Sequence, residues 1–200
     1  MPKTWMDTLL SPTRWVGTFP YPHQGAFLLD NSLRRWLDNP ADSVDALELT
    51  GTERVLELGP GPGFFSVEIA SRLDGGRLEL FDVQPEMLAK ARRKLDRAGR
   101  RNVGFHSGQA GDGLPFADNS IDVAFLAAVI GEVPDKSQCL RSLHRALKPT
   151  GLLVFREAFP DPDRLSVEQL RELAEPEGFE FLDSTGSVWQ DVIRFRRADD

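Results

Sequence analysis

Residues 54–66 read RVLELGPGPGFFS. An apolar run from Val55 to Leu58 leads directly into Gly59, Gly61 and Gly63, with Pro60 and Pro62 between them and an acid, Glu57, set inside the run. A strand that feeds a tight glycine turn and then a helix opens a βαβ unit, and it lets backbone N–H groups come close to a ligand. One glycine would satisfy a plain turn, so three in alternation ask for something more. The spacing departs from both phosphate patterns. A dinucleotide loop requires G-x-G-x-x-G, but its third glycine position falls on Phe64 or Ser66, depending on the frame. A P-loop requires G-K-[ST] after four spacer residues, and no lysine lies nearby.

Outward from this stretch the chain alternates strands and helices. RVLEL (54–58) is followed by a helix expected over 63–73, RLELFDV (77–83) by a helix over 85–98, then the strand NVGFHSG (102–108). IDVAFLAAV (121–129) is the near-continuous apolar run of a strand covered on both faces, and GLLVFREA (151–158) follows a helix expected over 135–147. Such alternation implies a parallel sheet with helices on both sides. The end differs. Ser166 to Gln169 has the spacing of a capping box, Gly178 ends that helix, and FEFLD (179–183) and WQDVIRFRR (189–197) lie too close together for anything but an antiparallel hairpin. Before the alternation, residues 1–49 hold an aromatic-rich arm with Trp5, Trp15, Phe19 and Tyr21. A helix there runs from Ala26 through Leu29, Leu33 and Trp36 until Asn39-Pro40. The expected division is this arm, a candidate lid over the site, and a domain over 50–200.

Composition narrows the function. The 200 residues carry a net charge of −7 and one cysteine, Cys139. Internal disulfides and thiolate metal clusters are excluded, no metal site is expected, and a partner held by its phosphates is disfavoured. The basic stretch Lys90 to Arg101 reads as a solvated helix face. No apolar run approaches the roughly 20 residues of a membrane helix, and the N-terminus has no signal-peptide core, so a soluble cytoplasmic protein is expected.

A ligand with an amino acid end and a nucleoside end, but no phosphate, suits these residues better. Its ammonium calls for an acid, and Glu57 lies close by. Its carboxylate can be met by main-chain N–H groups at a helix N-terminus. Its ribose hydroxyls call for a bidentate acceptor at the end of the second strand, where Asp82 stands, although that residue also suits a helix N-cap. Its adenine can be read by Gln109 and the Ala110 main chain in SGQAGD.

With those residues in place, the chain resembles the class I S-adenosylmethionine-dependent methyltransferases over residues 50–160. VLELGPGPGFFS looks like the E/D-x-G-x-G-x-G cofactor loop, LFDVQPEML like the acidic segment after it, and LPFADNSIDVAF and LHRALKPTGLLVF like the fourth and fifth strands with the helix between. The branch it resembles most acts on small molecules and includes quinone-biosynthesis methyltransferases. The resemblance implies a Rossmann-like, doubly wound sheet of seven mostly parallel strands in the order 3-2-1-4-5-7-6. It implies S-adenosylmethionine as methyl donor and S-adenosylhomocysteine as product. It also adds Val83 and Ala127 to the cofactor-contacting set of Glu57, Gly59, Gly61, Gly63, Asp82, Gln109 and Ala110. One departure stands out: many relatives have Asp where this chain has Gln109.

Methyl transfer from a sulfonium is an in-line displacement that needs alignment and water exclusion more than a protein nucleophile. If the acceptor must lose a proton, Glu132 and Glu157, just past the fourth and fifth strands, and His23 in the arm are the candidate bases. The expected acceptor is a small or lipid-like molecule. The N/D-P-P-Y/F signature of base and glutamine amino-group methylation is absent, AAVIGEVPD standing in its place, and a single cysteine does not suit arsenic chemistry. A cofactor-binding protein without turnover and an NAD-dependent oxidoreductase are the competing readings.

Overall fold

The computed structural model describes residues 39–199 apart from 160 and 188. The aromatic arm, its expected helix over 26–37 and His23 therefore lie outside the described residues. The first described element, α1 (Pro40–Asp45), begins where the sequence reading placed only a stop. The Asn39 side chain accepts a hydrogen bond from the Ala41 amide and Pro40 takes the first helical position, where its missing N–H costs nothing.

The expected alternation then follows: β1 (Arg54–Leu58), α2 (Ser66–Arg72), β2 (Arg77–Asp82), α3 (Pro85–Arg97), β3 (Val103–Ser107), β4 (Ile121–Ala127), α4 (Lys136–Ala146), β5 (Leu147–Ala158), α5 (Val167–Ala174), β6 (Phe179–Gly186) and β7 (Gln190–Arg197). Short 3₁₀ turns stand at Ala110–Asp112, Ile130–Glu132 and Glu175–Glu177. The seven strands form one sheet in the order β3-β2-β1-β4-β5-β7-β6. The first five pair in parallel, while β7 pairs antiparallel with both β5 and β6. This is the doubly wound sheet with a closing hairpin that the sequence implied.

Alternate strand residues feed two cores. Val55, Leu78, Leu80, Val123 and Phe125 pack with Ile69, Leu88, Ala91 and Leu95 of α2 and α3 on one face, joined by Val44 of α1. Leu56, Leu58, Leu126, Leu153 and Phe155 pack with Cys139, Leu140, Leu143 and Leu170 of α4 and α5 on the other. Cys139 is fully buried there, and burial pushes its thiol up to about 12, as befits a small packing residue. Arg156 of β5 fastens α1 to the sheet: its Nε donates to Ser43 Oγ at 3.1 Å and Nη2 to Gln190 Oε1 at 2.8 Å, with its guanidinium 5.2 Å from the Phe65 ring.

Several boundaries differ from the sequence reading; β6 runs on to Gly186, α5 stops at Ala174, and two further differences have a clear physical reason. Helix α2 starts at Ser66 rather than Gly63, because Gly63 has φ +80°, outside the helical region. Strand β5 starts at Leu147, four residues before Gly151. Leu147 pairs with Ile121 and Leu152 with Val123, so the intervening Lys148–Gly151 segment, whose Pro149 and Gly151 look like a turn, is an irregularity inside one strand.

The capping box of α5 is formed as expected, with Ser166 Oγ accepting from the Gln169 amide at 3.3 Å and the Gln169 side chain accepting from the Ser166 amide at 2.9 Å. Gly178, at φ +85°, turns the chain out of the following 3₁₀ turn. Ser166→Ala is expected to cost about 1 kcal/mol, a fall of about 2–4 °C in thermal midpoint for a chain of this size, measurable by scanning calorimetry.

Candidate functional site

The strand order reverses direction between β1 and β4, and in such sheets ligands sit in the crevice outside the carboxyl ends of those strands. The glycine turn lies there. Gly59, Gly61 and Gly63 have φ values of +64°, +52° and +80°, a conformation that side chains with a Cβ rarely adopt. Space separates their roles. A Cβ at Gly59 would collide with the Val129 side chain and one at Gly63 would press on Ala91 at 3.1 Å, while one at Gly61 would meet nothing within 4 Å among the described residues. Two glycines therefore let the turn pack inward and the middle one faces open space.

Asp82, the last residue of β2, is tied to this turn. Its Oδ2 accepts from the Gly61 amide at 3.2 Å and its Oδ1 from the Gln84 amide at 2.8 Å. Gln84 is the N-cap position of α3, so Asp82 holds the entry to that helix without being its cap. A carboxylate offers about four lone-pair sites, and two remain on Asp82 beside the open face of Gly61. Burial raises its pKa and the two amide hydrogen bonds oppose the rise. The third βα loop also comes here, since the Gly108 amide donates to the Asp82 carbonyl at 3.2 Å. Val83 is 42% exposed, one of three large hydrophobic side chains left open among the described residues. Gln109 is exposed, Ala110 is half-buried in its 3₁₀ turn, and Ala127 is half-buried at the end of β4.

Glu57 sits beneath the turn, 2% exposed, with Oε2 accepting from Ser66 Oγ at 2.6 Å. Burial pushes its pKa up to about 7; the Ser66 hydroxyl and Lys94 oppose the rise and Asp82 adds to it. Glu79 of β2 makes the contrast. It too is an acid embedded in an apolar run, but it faces the other side of its strand and is met by Arg54 at 2.8 Å, Arg77 at 2.9 Å and His106 at 2.8 Å. Burial acts to raise its pKa, yet these hydrogen bonds bring it below the usual value. Glu79 is a neutralised structural acid, whereas Glu57 is buried with a neutral hydroxyl as its hydrogen-bond donor.

Glu132 and Glu157 lie at the same sheet edge, past β4 and near the end of β5. Burial raises both to about 7, helped at Glu132 by Asp161, Asp163 and Asp82, and at Glu157 by Asp161 against the pull of Arg164 and Arg156. The structure thus joins Glu57, the glycines and Asp82 through a continuous set of short-range contacts and sets Glu132 within electrostatic reach of Asp82. Four features of the site escaped the sequence reading. Ser66 carried a signal, as the first hydroxyl after the turn. Asp161, Asp163 and the edge-to-face pair Phe159–Trp189, whose ring centres are 5.7 Å apart, carried none, since only the fold brings them together.

A family model described as a methyltransferase domain matches residues 49–182. The chain belongs to the class I S-adenosylmethionine-dependent methyltransferases. It is 34% identical over 149 residues to the ubiquinone/menaquinone biosynthesis C-methyltransferase UbiE of Klebsiella pneumoniae, covering 73% of this chain and 57% of that protein. It is 31% identical over 150 residues to an arsenite methyltransferase of Halobacterium salinarum, covering 66% of this chain and 38% of that one. The chain thus spans about half the length of these relatives. Among solved structures, a SAM-dependent methyltransferase from Aquifex aeolicus superposes with a TM-score of 0.83 at 22% identity, over 90% of this chain and all of that one. The [4+2]-cyclase SpnF superposes at 0.72 with 20% identity, over 80% of each. S-adenosylmethionine is accordingly the cofactor. The residues present suit it, because the open face at Gly61 and the unused lone pairs of Asp82 offer close backbone approach and a hydroxyl acceptor side by side.

The site should be pH-sensitive in the ligand-free methyltransferase. An acid whose folded pKa lies above its unfolded value lends stability that is fully present below the unfolded value and lost as pH rises through the folded one. For Glu57 that window runs from 4.5 to about 7, and the loss is on the order of 3 kcal/mol at 1.36 kcal/mol per unit. The thermal midpoint should fall between pH 5 and pH 8, and Glu57→Gln should narrow that fall by several degrees. A midpoint that rises over this range would contradict the burial of these carboxyls as ionisable groups.

Proposed function

We propose that the chain transfers the methyl group of S-adenosylmethionine to a small-molecule or lipid-like acceptor in the crevice between β1 and β4. The single observation that supports it most is the Asp82 carboxylate, fixed by the Gly61 and Gln84 amides beside open space, with acceptor capacity left over. The cofactor supplies an electrophilic methyl on a sulfonium for in-line displacement. Asp82 accepts from the ribose hydroxyls, and the backbone at Gly61 allows close approach. Glu57 supports the turn through Ser66 and meets the ammonium end. Val83, the Gln109–Ala110 turn and Ala127 line the adenine and methionine flanks. Glu132 and Glu157 border the acceptor side, where their raised pKa values suit proton uptake near neutral pH.

The UbiE relative's name points to carbon methylation of a quinone precursor, and an aromatic acceptor is compatible with Phe159 and Trp189 at the mouth. The arsenite relative's chemistry fits less well, since the one cysteine of this chain is buried on the inner face of α4 with its thiol fully protonated at neutral pH. The SpnF neighbour shows that this fold also carries a reaction of another kind. Cofactor binding without methyl transfer therefore remains the competing reading.

Calorimetric titration with S-adenosylmethionine, S-adenosylhomocysteine and NAD tests the cofactor assignment. Binding of the first two and not the third is expected, and Asp82→Ala should weaken both by at least about tenfold, or about 1.4 kcal/mol. Unchanged affinity in that variant would remove Asp82 from the ribose contact. Release of S-adenosylhomocysteine with an acceptor panel then separates transfer from binding alone.

A further inference from the structure

The edge of the sheet past β4 and β5 concentrates negative charge to a degree that cofactor binding does not explain. Glu132 ends the 3₁₀ turn Ile130–Glu132, and the 161–165 loop lies directly on that turn, since a Cβ at Gly131 would collide with the Asp163 main chain. Within the loop, the Asp161 Oδ1 accepts from the Asp163 amide at 2.9 Å, which holds the Asp161 carboxylate in place. Under it, Glu157 is 1% exposed; its Oε2 accepts from the Leu165 amide at 3.3 Å, and its Oε1 is buried with no hydrogen-bond partner among the described residues. A buried, unpartnered carboxylate oxygen costs free energy unless something polar meets it.

The nearby cations are largely engaged elsewhere. Arg164 pairs with Asp191. Arg156 bonds Ser43 and Gln190. Lys136 Nζ donates to the carbonyls of Gly131, at 2.9 Å, and Val133, at 2.8 Å. The charged groups that act on Glu132 are the acids Asp161, Asp163 and Asp82. Those that act on Glu157 are Asp161, Arg164 and Arg156. Beside this cluster of acids stands Phe159, whose amide donates to the Trp189 carbonyl at 2.8 Å; the two rings, 46% and 65% exposed, form an open aromatic platform.

We infer that this acidic edge binds the cationic amine group of an acceptor whose apolar or aromatic body rests on Phe159 and Trp189, with Glu132 facing the amine and Glu157 as the buried counter-charge beneath the loop. The inference rests on the methyltransferase reading and names the acceptor class for it. The chemistry is complementary at each point. A carboxylate screened from water attracts a cation far more strongly than an exposed one, the buried Glu157 carboxylate gains a nearby positive charge, and exposed aromatic faces add a cation–π attraction. A neutral quinone-like acceptor would leave the concentration of acids unexplained. Ionisation of Glu132 and Glu157 near neutrality makes cation binding stronger as pH rises.

The test is calorimetric titration of benzylamine and benzyl alcohol into the full chain, both ligand-free and saturated with S-adenosylhomocysteine, at pH 6 and pH 8. Benzyltrimethylammonium, whose charge does not change with pH, isolates the protein's titration. Benzylamine is expected to bind at least about tenfold tighter than benzyl alcohol at pH 8, and benzyltrimethylammonium several-fold tighter at pH 8 than at pH 6. Glu132→Gln should lower benzylamine affinity about tenfold while leaving S-adenosylhomocysteine affinity unchanged, and Asp163→Asn should produce a smaller loss in the same direction. Equal affinity for the amine and the alcohol, or no effect of either substitution, would overturn the inference. Loss of S-adenosylhomocysteine affinity in Glu132→Gln would also overturn it, because Glu132 would then serve the cofactor. Failure of the unsubstituted chain to bind S-adenosylhomocysteine at all would instead defeat the methyl-donor reading, which the amine titration of the ligand-free chain does not depend on.

Discussion

The hydrogen bond from the Gly61 amide to the Asp82 carboxylate joins the first two strand-to-helix turns into one surface. It exists only because Gly61 sits at φ +52°, which directs that amide toward the neighbouring strand. The Gly59 amide reinforces the join by donating to the Phe81 carbonyl at 2.8 Å. From this seam the rest of the edge follows. Gln84 and hence α3 start from the other oxygen of Asp82, the Gly108 amide brings the third loop to the Asp82 carbonyl, and Ser66 reaches down to Glu57 from the first residue of α2. Two turns that were merely adjacent would leave the crevice floor adjustable; bonded, they make it fixed before a ligand arrives.

Charge divides the buried acids into two kinds. Glu79 is surrounded by Arg54, Arg77 and His106 and contributes to structure. Glu57 and Glu157, buried, and Glu132, half-buried, lie at the carboxyl edge with less compensation, and each is drawn toward neutrality. A fold that strands three carboxyls in this way along one edge sacrifices stability at neutral pH for a negative potential where ligands enter.

Local pattern carried most of the architecture, and long-range proximity carried what was missed. The apolar runs, the glycine turn and the capping box at Ser166 are written within a few residues each, so strand identities and the closing hairpin were legible. Asn39-Pro40 was read as a stop, although the same pair is a cap followed by a first helical residue; Pro disfavours a helix interior and suits a helix start, and only the following residues decide. Glu57 and Glu79 occupy similar apolar runs, and the glycine turn beside Glu57 was the one signal separating them. The acids at 161 and 163 and the rings at 159 and 189 come from separate segments, with the Trp189 carbonyl meeting the Phe159 amide across thirty residues, and no periodicity announces such a meeting.

The placement of β7 has a consequence for how the chain is made. β7 lies between β5 and β6, yet it follows both of them in the chain. Until residues 190–197 emerge, β5 presents an unpaired edge of backbone groups flanked by Leu153 and Phe155, both fully buried in the finished sheet. Strand β6 cannot fill that position without displacing the hairpin register. The nascent chain therefore carries this open edge from the completion of β5 until β7 follows, and its solubility during that interval rests on whatever shields β5 before its true neighbour arrives.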